Sequence, residues 1–219
     1  MRLSTPSLPP ETRSVRGEGT RRAGVRGPGS GARRSKFEIK LLEPQTPAAQ
    51  PLAPSPEPRV LGIDPGLVET GFGVLERCGR SVTLLHGGVI ITPRIDPLEV
   101  RLEALHTEVS KLLDRFKPTL VVIEDLYSEY KFPKAAILMG HARGVICLAA
   151  RQAGVPLLPL APAEVKRAIA ANGAASKGQI QRGVQMRLGL ARAPRPSHVA
   201  DALALALTGL SRMGTRLPR

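Results

Sequence analysis

The sequence predicts an α/β fold: a five-stranded mixed sheet, three antiparallel strands followed by parallel ones, flanked by helices. Three observations lead there. Short β-rich runs joined by turns open the patterned part of the chain, a fully apolar run follows the first helical stretch, and helical and strand patterns alternate from then on. Val60 to Ile63 is the first strand and ends in the turn sequence Asp64-Pro65-Gly66. Thr70 to Glu76 and Val82 to Thr92 follow, separated by Cys78-Gly79-Arg80, so the first three strands form an antiparallel meander. Leu98, Leu102, Leu105, Val109 and Leu112 or Leu113 recur at helical spacing until Lys117-Pro118 stops them. Thr119 to Ile123 reads as a strand buried on both faces. A helix from Pro133 to Ala153 ends at Gly154, Val155 to Leu160 is the fifth strand, and the remainder is helical in pieces.

Composition narrows the function. The 219 residues include only 4 Phe, 2 Tyr and no Trp, which argues against a single-strand binder built on many stacking platforms. No apolar run reaches the roughly 18 residues of a membrane span, and the N-terminus lacks the apolar core of a signal peptide, so a cytoplasmic protein that does not engage membranes is expected. Cys78 and Cys147 form no metal-binding or disulfide pattern and are expected reduced.

The net charge is +14, and its distribution matters more than its size. Residues 1–58 hold 10 basic and 5 acidic side chains, residues 59–150 hold 11 of each, and residues 151–219 hold 11 basic against 2 acidic. A neutral middle followed by a basic last third suggests a polyanion lying against one side of the fold. Residues 1–58, with 10 of the 21 prolines, have no sustained period and are expected to be a disordered basic extension. Such an extension is a nucleic-acid-binding tail or sequence upstream of a later start; the neutral Pro/Ala linker from Gln45 to Pro58 favours the second. A domain over residues 59–213 and a tail over 214–219 complete the expected organisation.

Two acids stand where strands end. Asp64 follows Val60-Leu61-Gly62-Ile63 and Glu124 follows Leu120-Val121-Val122-Ile123, so both emerge at one sheet edge if the strands are neighbours. A carboxylate after a buried strand is expensive unless neutralised, which a divalent cation does well. Asp64 alone also suits a plain turn, and Asp125 rivals Glu124. On the last helix His198 and Asp201 share a face at i, i+3; alone, they read better as a first-turn acid serving the helix dipole and a solvated histidine than as site residues.

The blocks Val60-Leu61-Gly62-Ile63-Asp64-Pro65-Gly66, Thr70-Gly71-Phe72-Gly73-Val74, Val122-Ile123-Glu124-Asp125-Leu126-Tyr127, Gly140-His141-Ala142-Arg143-Gly144-Val145 and His198-Val199-Ala200-Asp201-Ala202-Leu203-Ala204 resemble, in order and spacing, the RuvC family of bacterial Holliday-junction resolvases. The resemblance covers Arg59 to about Met213. It implies an RNase H-like fold, a homodimer, and Mg²⁺- or Mn²⁺-dependent nicking of two like-polarity strands of a four-way DNA junction, with two ions per active site and ligatable 5′-phosphate and 3′-hydroxyl ends. A RuvA–RuvB branch-migration complex is the implied partner.

Carried over position by position, Asp64, Glu124 and Asp201 match the family's metal-binding acids, and His198 stands at a fourth position that is often Asp. An imidazole there shifts the expected metal preference toward Mn²⁺ and makes activity more pH-sensitive. Tyr127 matches an aromatic position thought to act on junction bases, a wedge role that suits cheaply unstacked crossover bases. For Phe132, core packing is preferred. Lys166 and Lys177 match basic positions associated with DNA, and with Arg182 they are expected on phosphates; Arg167 and Arg187 lie in the same basic region. Ser176-Lys177 opens a helix whose N-terminus offers further amides. Arg143 is expected at a subunit interface or the core edge. Competing readings are a RuvX/YqgF-like nuclease acting on RNA and a junction-binding protein with a weak active site.

Overall fold

The computed structural model describes residues 38–41, 57–125 and 133–214. In chain order these form β1 (Glu38–Leu41), β2 (Arg59–Asp64), β3 (Glu69–Cys78), β4 (Ser81–Ile91), α1 (Leu98–Phe116), β5 (Leu120–Glu124), α2 (Pro133–Gln152), β6 (Leu157–Leu160), α3 (Pro162–Ala170), α4 (Lys177–Leu188) and α5 (Ser197–Gly214). The sheet order is β1-β4-β3-β2-β5-β6. β1, β4, β3 and β2 pair antiparallel, while β2 with β5 and β5 with β6 are parallel. All five strands expected from Arg59 onward are therefore present, in the mixed arrangement expected.

A sixth strand was not foreseen. Glu38–Leu41 adds to the outer edge of β4 with Glu38 opposite Ile91 and Leu41 opposite Gly88, inside the stretch expected to lack order. Its four residues alternate polar and apolar, a period too short to stand out from the Pro- and Gly-rich sequence around it. Helix α1 stops where Lys117 takes a left-handed conformation (φ 46°) ahead of Pro118, and its amide bonds back to the Leu113 carbonyl. No helix among the described residues is long and apolar enough to cross a membrane. Neither cysteine is in a disulfide; Cys78 is exposed and Cys147 partly so.

Strand alternation sorts the core into two layers. Leu61, Ile63, Phe72, Val121 and Ile123 pack against α1 and α2 with Leu105, Val109 and Ile146. Val60 and Val122 face the other way, onto Leu203, Ala206 and Leu210 of α5, with α3 and α4 beyond. The strands leave room for α5 by carrying glycine under it. A Cβ at Gly62 would lie 2.1 Å from the Ala202 carbonyl oxygen, and one at Gly71 would lie 2.0 Å from that of His198. Backbone-to-sheet contact this close fixes the height and the axial register of α5, and so where its first two turns sit.

Candidate active site

The parallel register pairs Gly62 with Val122 and Ile63 with Ile123. Continued by one residue it sets Asp64 beside Glu124, and alternation turns both toward the layer that α5 covers. Asp125, next along, has the opposite orientation: the Arg143 guanidinium of α2 donates to its Oδ1 at 3.1 Å and to the Glu124 carbonyl at 3.4 Å. This removes Asp125 as a rival for the site and places Arg143 at the edge of the core.

α5 begins at Ser197, so Asp201 stands one turn further in than a dipole-serving acid should. It points at the strand ends instead. One ligand atom each from Asp64, His198 and Asp201 fall within 4.8 Å of one another. His198 Nδ1 is 2.7 Å from Asp64 Oδ2, and its Nε2 is 3.7 Å from Oε2 of Glu69, the first residue of β3. Glu69 is a site neighbour that no sequence motif indicated.

The electrostatics are those of crowded, half-dried anions. The Glu124 carboxyl is pushed up to about 7, first by burial, then by the charges of Asp64 and Asp201 and a hydrogen bond with Asp64; Lys166 opposes this. Asp201 rises to about 6 through burial and Asp64, against Lys177, His198 and Lys166. His198 is also raised, chiefly by its hydrogen bond to Asp64; burial opposes and the charges of Asp64, Glu69 and Asp201 add to it. Carboxylates that bind protons this readily are placed to exchange them for a cation. Carboxylate oxygens with one imidazole are the donor set of Mg²⁺ and Mn²⁺ sites, and these side chains fit such an ion.

The cluster lies in a cleft of about 430 Å³ whose facing wall includes Lys166 of α3 and Ser176 and Lys177 at the start of α4. The α4 start is fixed by a capping box: the Ser176 hydroxyl accepts from the Gln179 amide, and Gln179 Oε1 accepts from the Ser176 amide at 2.8 Å. Acids on one side and lysines on the other can hold a phosphate between a cation and ammonium groups. Lys166 and Lys177 thus sit at the cleft, whereas Arg182 is exposed along α4 and does not line it. Arg187 is exposed and donates to the Ala168 carbonyl of α3 at 2.5 Å. Tyr127, Tyr130 and Phe132 lie outside the described residues.

The profile of one protein family, described as "Crossover junction endodeoxyribonuclease RuvC", matches residues 60–209. A Rhodopirellula baltica protein of that description is 47% identical over 150 residues, covering 68% of this chain and 84% of the relative. A Thermus thermophilus one is 42% identical over 164 residues, covering 73% of this chain and 98% of the relative. The solved structure titled "T. thermophilus RuvC in complex with Holliday junction substrate" superposes with a TM-score of 0.67 at 42% identity, covering 72% of this chain and 96% of that one. The yeast mitochondrial Holliday junction resolvase, at 13% identity and a TM-score of 0.51, shares the fold alone. The family profile runs from the first buried residues of β2 into α5 and contains Asp64, Glu124, His198 and Asp201, and with it this RNase H-like chain belongs to the crossover junction endodeoxyribonuclease RuvC family.

Proposed function

We propose that this chain resolves four-way DNA junctions by paired, metal-dependent nicks, leaving 5′-phosphate and 3′-hydroxyl ends. The observation that carries the reading is the meeting of Asp64, His198 and Asp201 within 4.8 Å, beside Glu124 and opposite Lys166 and Lys177, in a member of this family. Asp64, Glu124, Asp201 and His198 would hold Mg²⁺ or Mn²⁺, two ions per site, which when bound would supply Lewis-acid chemistry for phosphodiester hydrolysis. The chain's own residues do the rest. The acids face the place where the scissile phosphate would lie, and their partial burial limits screening by bulk water. Lys166 and Lys177 grip the phosphates from the wall that faces the acids, Arg182 extends that grip along α4, and Tyr127 acts as the wedge at the unstacked crossover.

Two symmetric nicks need two sites, so the active form is a homodimer whose two-fold axis matches that of the junction. The outer face of α2 supports this: Ile137 and Leu148 are 61% and 50% exposed on the same side as Gly140 and Gly144, above which a side chain would meet open space. A second copy seated there would cover the apolar stripe at close helix-to-helix distance. The nuclease unit spans 59–213, with residues 1–58 an extension that contributes β1 and 214–219 a tail. It works in the cytoplasm, away from membranes, downstream of a RuvA–RuvB branch-migration complex.

The test offers a mobile four-way DNA junction and a structured RNA to the wild type and to Asp64→Asn, with Mg²⁺ and Mn²⁺ in parallel. Paired junction nicks by the wild type, and binding without nicking by Asp64→Asn, are expected. Cleavage of RNA alone, or junction binding by the wild type with no nicking under either metal, overturns the reading.

A further inference from the structure

Glu69 opens β3 and shares a face of the sheet with Gly71, since alternate residues of a strand face the same way. This is the face that α5 covers, and at Gly71 the contact is with the His198 backbone itself, 2.0 Å from where a Cβ would stand. Glu69 is held at the start of its strand. It pairs with Ile91 of β4, and the next residue, Thr70, donates its hydroxyl to the Gly66 carbonyl at 2.5 Å. The backbone at Glu69 is thereby fixed, and its carboxylate lies beside the imidazole, with Oε2 3.7 Å from Nε2. The other ring nitrogen, Nδ1, is 2.7 Å from Asp64. The His198 ring therefore lies between two carboxylates, one inside the Asp64–His198–Asp201 cluster and one behind it.

An imidazole that serves a cation through one nitrogen is oriented by whatever accepts from the other, and such partners commonly change metal affinity 10- to 100-fold. We propose that Glu69 is a positioning residue for His198: it accepts from Nε2, sets the plane of the ring, and keeps Nδ1 turned to Asp64 and the cation. The separation of 3.7 Å is that of an ion pair, and the 43% exposure of the Glu69 side chain leaves it free to close onto Nε2 when the ring engages a cation. The proposal rests on reading the cleft as a cation centre. Its chemistry is local: Glu69 acts through His198.

The experiment is a Mn²⁺ binding isotherm, without DNA, on the full chain as wild type, Glu69→Ala, His198→Asp and the double variant. Glu69→Ala should weaken Mn²⁺ binding about tenfold. In the His198→Asp background the same change should do nothing further, because there is no ring to orient. Glu69→Gln, which retains an accepting oxygen, should recover most of the affinity. In junction cleavage, Glu69→Ala should lower kcat and leave KM for the junction unchanged. Unaltered Mn²⁺ binding by Glu69→Ala, an equal loss in both backgrounds, or no recovery with Gln each overturns the proposal while leaving the wild-type isotherm intact. A wild type that takes up no Mn²⁺ overturns the cation-centre reading, and the role of Glu69 with it.

Discussion

His198 Nδ1 lies 2.7 Å from Asp64 Oδ2 although 134 residues separate the two in the chain. The contact joins the end of the first core strand to the start of the last helix. On the proposed reading it is also the point where a proton and a cation would contend for the same atoms, and the neighbouring carboxyls of Glu124 and Asp201, at about 7 and about 6, titrate in the range where a cell works.

Mn²⁺ affinity should therefore rise steeply between about pH 5.5 and 7.5, and the midpoint of the activity profile should move to lower pH as Mn²⁺ is raised. Calorimetric titrations at three pH values check this. Affinity that is flat across the range would mean that these carboxyls do not take part in binding.

The same shifts act on stability when no metal is present. Glu124 and Asp201 hold protons in the folded state that the unfolded chain has released, so their cluster is close to neutral for stability near pH 4, destabilises progressively as pH rises from there, and does so in full above about pH 7. The raised His198 works in the same direction, since its contribution is complete at low pH and lost as pH climbs through its folded value. Asp201→Asn should thus raise Tm at pH 7.5 by about 2–4 °C, on the order of 1 kcal/mol after solvent screening, and leave it unchanged near pH 4. Metal-free thermal melts of both proteins at the two pH values give the answer.

Neighbouring acids at the end of β5 should behave oppositely. Glu124→Gln should abolish nicking, whereas Asp125→Asn, whose side chain faces Arg143 at 3.1 Å, should keep it within about tenfold and cost little stability. Single-turnover cleavage of a junction separates the two variants. Loss of nicking in both would mean that both carboxylates serve the centre.

Lys166→Ala and Lys177→Ala should each weaken junction binding evenly across sequences and reduce the dependence of log K on log salt by about one. Filter binding between 50 and 200 mM salt measures it. A change in preferred cleavage sequence with an unaltered slope would assign these lysines to base readout.

Gly62→Ala places a methyl group against the Ala202 carbonyl, with backbone on both sides. Because α5 must lift, the variant should lose at least about 1–3 kcal/mol in urea unfolding and lose metal affinity as well. Retention of both would mean that the helix does not need this seat.

The sequence patterns made the strand-end acids legible because a buried apolar run announces both its strand and its terminus. Asp64 and Glu124 stand at the ends of β2 and β5 as expected, and those strands are neighbours. Asp201 taken alone reads better as a helix-dipole acid, and only the start of α5 at Ser197 places it in the second turn. The division of labour between Glu124 and Asp125 was open until strand alternation assigned them to opposite layers. Glu69 carried no signal, because a charged residue before a strand is ordinary and its meaning lies in a helix more than a hundred residues away. β1 was hidden for a different reason: four alternating residues become a strand only when an open edge receives them.

That edge has a consequence of its own. With Glu38–Leu41 in place, the last four residues of β4 are hydrogen-bonded on both sides. A shortened protein beginning at Arg59 would retain every residue of the cleft yet expose a bare run of amides and carbonyls from Gly88 to Ile91. Bare strands of this kind recruit other strands. Glu38–Leu41 covers that edge of the sheet, and its removal should appear as precipitation on concentration before it appears in catalysis.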